Sequence, residues 1–179
     1  MDKVIICVLV AIIGLLIIIL INIYNKLQYS LIKLEKADTN IDDALEKKYQ
    51  ILVRYIDFLN EKIKVDKDTF KDFLEINLKT ISNIKLCDKI DDCYHEIKMY
   101  LDDNEKLLKN ETLININKEL REVDVVINSC KCYYNNNLVN YNKLVRCFPS
   151  KLVAKIFKYK EKDFYSEDRQ DNLKILEEE

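Results

Sequence analysis

Residues 111–150 read ETLININKELREVDVVINSCKCYYNNNLVNYNKLVRCFPS, and the spacing of their apolar side chains decides the fold. Leu113, Ile116, Leu120, Val123, Ile127, Cys130, Tyr134, Leu138, Tyr141, Val145 and Phe148 follow one another in steps of three and four. Ten steps cover 35 positions, a mean of 3.5. That is the period of helices packed side by side with a left-handed supercoil. Tyr134, Leu138, Tyr141, Val145 and Phe148 form the C-terminal half of this structural seam. Tyr134 and Tyr141 are equivalent positions two turns apart, and each can bury its ring while its hydroxyl reaches a partner. Pro149, the only proline in the chain, ends the helix because proline disfavours helical geometry in the residue before it.

The asparagines in this segment run against the pattern. Asn135, Asn136, Asn137, Asn140 and Asn142 are each roughly half a kcal/mol worse than alanine in a helix. Asn135 and Asn142 flank the seam, so their amides are expected to find partners. Together with Lys151, Lys155 and Lys158 they are the candidate partner surface.

Upstream, Leu27, Leu31, Leu34, Ala37, Ile41, Leu45, Tyr49, Leu52, Ile56, Leu59 and Ile63 repeat at helical spacing. Asp66, Asp68 or Thr69 is expected to cap the next helix. A second, less regular series runs Phe70, Leu74, Leu78, Ile81, Ile84, Ile90, Tyr94, Ile97, Leu101, with a phase drift and an expected break between Leu86 and Asp92. The three segments are about 35 to 39 residues each, roughly 55 Å at helical rise. Rods of equal length with short connections pack antiparallel. The prediction is an all-α fold: an elongated up-down-up bundle of three long helices, or four if the second is broken. One glycine and one proline in 179 residues leave little material for turns or sheets, which agrees.

The N-terminal end is different. From Val4 to Ile21 every residue is apolar or glycine, and no charge occurs from Val4 to Asn25. A bilayer core takes about 20 helical residues, so this stretch can span it. It lacks the small-residue cleavage site of a secretory signal and reads as an uncleaved anchor. Lys26, Lys33 and Lys36 follow it and only Lys3 precedes it, which places the short N-terminus outside and the C-terminal part in the cytoplasm. Cys7, Ala11 and Gly14 share one small-residue face, a candidate surface for self-association between spans. The expected organisation is a tail at 1–3, the anchor at 4–25, the bundle at 26–148, a cap segment at 149–165 and a charged tail at 166–179. In an up-down-up bundle the cap segment lies at the end away from the span. Its apolar face is Leu152, Val153, Ile156 and Phe157. It reads either as a cap packed on the bundle or as an amphipathic surface for lipid or protein.

Twenty-nine basic and 31 acidic side chains give a net charge of −2, without the basic excess that nucleic acid requires. Six cysteines without regular spacing suit free thiols in a reducing compartment. Cys93, His95, Cys130 and Cys132 have metal-ligand chemistry, but residues two apart on a helix point about 200° from each other. The only glycine lies in the span, so no phosphate-cradling loop exists. The expectation is no cofactor, no catalytic residue and no enzyme. A helical metal-dependent enzyme and a membrane sensor stand as alternatives.

The two Tyr-Asn pairs, Tyr134-Asn135 and Tyr141-Asn142, then Phe148-Pro149-Ser150, Leu152-Val153-Ala154, Phe157 and Tyr159-Lys160, resemble the C-terminal signature of the LemA family. Tyr24-Asn25, Ala37, Ile41-Asp42, Leu45, Lys47-Lys48, Tyr49 and the stretch LKNETLININKEL (Leu108–Leu120) resemble the family as well. The chain departs from it at Val53-Arg54, where the family usually carries Pro-Asn, and at Lys158, where it often carries glycine. The resemblance implies a bacterial membrane protein with one N-terminal anchor and a long-helix domain facing the cytoplasm. It implies no reaction. The expected role is a membrane-tethered scaffold or adaptor that binds a membrane-proximal or cytoplasmic protein.

Overall fold

A computed structural model describes residues 2–66, 68–78 and 80–165. The charged tail expected at 166–179 lies outside the described residues. The described part is all-α: α1 (Asp2–Lys62), α2 (Lys71–Leu74), α3 (Asn83–Asp102), a 3-10 turn (Glu105–Lys109), α4 (Glu111–Arg146) and α5 (Ser150–Ile156). They form two compact units, one built from residues up to Lys36 with those from Tyr133 onward, the other from Ala37–Cys132.

The core of the second unit is the predicted one on α1 and α4. Ala37, Ile41, Leu45, Leu52, Ile56 and Leu59 are buried, as are Leu113, Ile116, Leu120, Val123 and Ile127. Each fully buried side chain of this size contributes about 1.5 to 3 kcal/mol. α1 passes through Val53 and Arg54 without interruption because neither residue lacks an amide proton or clashes with the preceding turn. Arg54 instead pairs with Glu119 of α4, and that guanidinium holds the Glu119 carboxyl below its usual range.

The second predicted helix is broken, as in the four-helix alternative, but at another place: α2 ends at Leu74 and α3 begins at Asn83, before the expected site at Leu86–Asp92. In the broken stretch the Thr80 hydroxyl donates to the Asn77 carbonyl (3.2 Å), the kind of local side-chain bond that competes with helix continuation. Leu74 is exposed, and Phe73 is buried instead, its ring 4.8 Å from that of Tyr49. The expected cap at Asp66–Thr69 is also absent: α2 begins after Phe70 with no side-chain cap bond.

The break changes the direction of the elements that follow it in the second unit. Tyr49 donates to the Leu74 carbonyl, and Asn83 is bonded to Asp42, so by Asn83 the chain has come back along α1. α3 then rises parallel to α1, with Asp91 beside Lys48 and Tyr94 close to Tyr55. α4 descends antiparallel to α1: Asn117 meets Tyr55 and Asp124 meets Lys48. The path is therefore up, back, up and down.

In the first unit α5 reaches the early part of α1. Leu27, Val153 and Ala154 form a buried cluster, with Ile23, Tyr24, Leu144, Val145 and Tyr159 packed against it. The cap segment thus sits beside the end of the apolar run, and the expectation that it lies away from the span is overturned. The physical reason is the burial of Val153 and Ala154 against Leu27.

Candidate functional site

The two Tyr-Asn pairs are explained by residues 160–165, which run non-helically beside α4. The Asn142 amide Nδ2 donates to the Lys162 carbonyl at 2.9 Å, and the Lys162 amide donates back to Asn142 Oδ1 at 3.1 Å. One side chain thereby satisfies both backbone groups of one residue. The Tyr165 amide donates to Asn135 Oδ1 at 3.1 Å, and the Tyr141 hydroxyl donates to the Lys160 carbonyl at 2.9 Å. The Tyr165 ring stands edge-on to Tyr134 with centroids 5.1 Å apart. A seven-residue repeat places the two asparagines on one face of α4, so they hold the same strand of backbone at two points.

This arrangement corrects part of the candidate partner surface. Asn135 and Asn142 are only 4% and 3% exposed, and both act as an internal clamp. Their amides offset the cost of ordering a segment that has no ladder of its own. Lys151, Lys155 and Lys158 are exposed. Within the seam, Tyr134, Leu138 and Tyr141 are buried and Val145 is half-buried. Phe148 is 80% exposed and does not belong to it. α4 ends at Arg146, so the helical phase that would turn Phe148 inward has already stopped.

Replacing Asn142 with leucine keeps the volume and leaves both Lys162 backbone groups without partners, at a cost of about 1 to 3 kcal/mol. Trypsin should then cut faster after Lys160 and Lys162. Cleavage at the wild-type rate would show that the clamp does not order the segment.

α5 closes with a left-handed residue. Lys158 has φ 59°, the Tyr159 amide donates to the Ala154 carbonyl at 2.9 Å, and the Lys158 amide donates to the Lys155 carbonyl at 3.4 Å. Glycine is the residue that adopts this geometry at least cost. Lys158→Gly is accordingly expected to stabilise the fold by about 1 kcal/mol, read as a rise of a few degrees in Tm. A fall in Tm would mean that the lysine side chain contributes more than its backbone strain removes.

The Lys48 ammonium is nearly buried, 2.8 Å from Asp124 Oδ1 and 3.5 Å from Asp91 Oδ1. Burial alone would lower its pKa, but the two carboxylates more than offset it and leave the pKa above the usual lysine value. Burial pushes the Cys93 thiol up to about 12, so it carries no reactive thiolate at neutral pH. His95 is exposed and lines an open recess of about 290 Å³ with Thr69, Asp72, Asp92 and Glu96. Cys130 is half-buried and Cys132 exposed. Among the described residues no three His, Cys, Asp or Glu side chains are placed to hold a metal ion.

α1 is long and apolar enough at its N-terminal end to cross a membrane, by length and composition. Its large apolar residues from Val4 to Ile21 are exposed. A Cβ at Gly14 would meet nothing within 4 Å. No curated protein and no solved structure matches the chain. The model of the LemA family matches residues 37–175, a span that contains the Asn clamp, α5 and the whole of the second unit. On that match, the chain belongs to the LemA family.

Proposed function

We propose that the chain is a single-pass membrane scaffold whose helical domain faces the cytoplasm and holds a protein partner close to the bilayer. The observation that carries this reading is the division of one helix. α1 has exposed apolar residues up to Ile21 and buried ones from Leu27 onward. A hydrocarbon-spanning stem that continues into a folded core ties the domain to the membrane without a flexible linker. Lys26, Lys33 and Lys36 support the cytoplasmic orientation. Val125 and Val126, adjacent and exposed on α4, offer an apolar contact to a protein partner.

The test uses the full chain expressed in bacteria. It should sediment with membranes and resist alkaline carbonate, whereas a chain lacking residues 1–25 should be soluble and still helical. A membrane-impermeant thiol reagent should reach the exposed Cys132 only after lysis. A photo-crosslinking residue at position 125 should give discrete protein adducts in cells, and these should disappear when residues 1–25 are removed. Full-length protein in the supernatant would overturn the tether. No adduct, or an adduct indifferent to the anchor, would overturn the scaffold.

A further inference from the structure

α5 packs one side on α1 and leaves another side bare. Val153 and Ala154 are buried, while Leu152 is 54% exposed, Ile156 69% and Phe157 55%. Phe148, just before the helix, adds a fourth exposed apolar side chain. The position of this bare edge is fixed by its contacts: the Phe157 ring lies 4.7 Å from the Tyr24 ring, and Tyr159 is 6.4 Å from the same tyrosine. Tyr24 lies three residues past Ile21, about 5 Å of helical rise beyond the last residue of the apolar run. The exposed edge of α5 is therefore level with the place where a spanning helix leaves the hydrocarbon.

Charge is segregated there. The chain is almost neutral overall, yet residues 3–34 and 125–160 contain no aspartate or glutamate. Lys26, Lys151, Lys155, Lys158 and Lys160 are all exposed in those segments. Glu161, the first acid after them, is paired with Arg146. Tyrosines at the end of a span and lysines around an apolar edge are the chemistry of a headgroup region.

We propose that α5 docks on the surface of the same bilayer that α1 crosses, with Phe148, Leu152, Ile156 and Phe157 in the interface and the lysines on anionic headgroups. The proposal rests on the membrane-tether reading above. The helix is only seven residues long, too short to fold on lipid by itself. It does not need to, because its packing on Leu27 has already ordered it. Each lysine near an anionic surface favours the docked state about fivefold. α5 would thus set the orientation of the unit that contains it and make it responsive to lipid charge.

The test reconstitutes the full chain in vesicles of phosphatidylcholine with and without phosphatidylglycerol. An environment-sensitive fluorescent amino acid is placed at position 156 in one protein and at position 10 in another, with spin-labelled lipids as quenchers. The expected result is quenching at position 10 in both vesicle types, and quenching at 156 that increases with phosphatidylglycerol. The triple variant Lys151→Glu, Lys155→Glu, Lys158→Glu should lose that increase with an unchanged circular dichroism spectrum. Quenching at 10 with none at 156 in either vesicle overturns the docking alone, and a 156 probe shielded only after cell extract is added assigns the edge to a protein instead. Absence of quenching at position 10 overturns both readings.

Discussion

Tyr141→Asp is expected to unfold the unit that contains it, while Tyr141→Phe leaves it folded. The Tyr141 ring is 1% exposed, and a buried tyrosine of this kind removes roughly 150 to 250 Å² from water. At about 25 cal/mol per Å² that is about 4 to 6 kcal/mol of apolar burial, which aspartate forfeits. The new carboxylate would also enter a site where burial and the charge of Glu35 already push the tyrosine's pKa upward, so an anion is penalised twice. Native domains have about 5 to 15 kcal/mol in total, so the loss is decisive. Phenylalanine keeps the ring and gives up one hydrogen bond to the Lys160 carbonyl, about 1 kcal/mol. Urea midpoints of the detergent-solubilised variants separate the two. An aspartate variant that melts like the phenylalanine one would place this ring outside the core.

The second large effect is alkaline. Tyr55 is fully buried, donates its hydroxyl proton to Asn117 Oδ1 at 3.0 Å, and has its pKa pushed up to about 12 by burial. The Cys93 thiol is likewise pushed up to about 12. Unfolded, these groups release their protons at 10.0 and 9.0. Between those values and 12 the folded state binds more protons than the unfolded one, so stability falls as pH rises. Below pH 9 neither group imposes any dependence. At about 1.4 kcal/mol per pH unit per group, Tyr55 removes about 3 kcal/mol and Cys93 about 4 by pH 12. Lys48 adds to the same trend, because its raised pKa makes its contribution complete below the unfolded lysine value and lost above it. Urea midpoints at pH 8, 10 and 11.5 should therefore drop steeply. The double variant Tyr55→Phe, Cys93→Ala should give a flatter profile over the same range, and equal slopes would exclude these groups as the cause.

Periodicity made most of the helices legible. Leu27 to Leu59 and Leu113 to Tyr141 are buried largely where a 3.5 to 3.6 repeat puts them, because long helices obey one spacing rule over many turns. The rule fails where an element is short. Residues 70–82 carry apolar spacing compatible with a helix, but among the described ones only Lys71–Leu74 form one, and this difference reversed α4 in the second unit. Direction is a tertiary property, and no local pattern encodes it. Phe148 failed for a related reason, since it fits the repeat numerically but lies past the last helical residue.

The asparagines were half legible. Their spacing showed that Asn135 and Asn142 share a face, and their poor helix propensity signalled that something compensates. What compensates is main chain about twenty to thirty residues downstream. Backbone carbonyls and amides are present at every residue, so a side chain that binds them leaves no complementary mark in the sequence. The exposed apolar edge of α5 was hidden differently: the predicted face held Leu152, Val153, Ile156 and Phe157 together, whereas the structure buries Val153 with Ala154 and exposes the other three.

Because Asn142 grips only the main chain of Lys162, and Tyr141 only the carbonyl of Lys160, these bonds do not read the side chains at positions 160 and 162. Mutational drift there should be tolerated so long as both asparagines persist. The segment can acquire new charges, or a new binding specificity, while its course beside α4 stays the same.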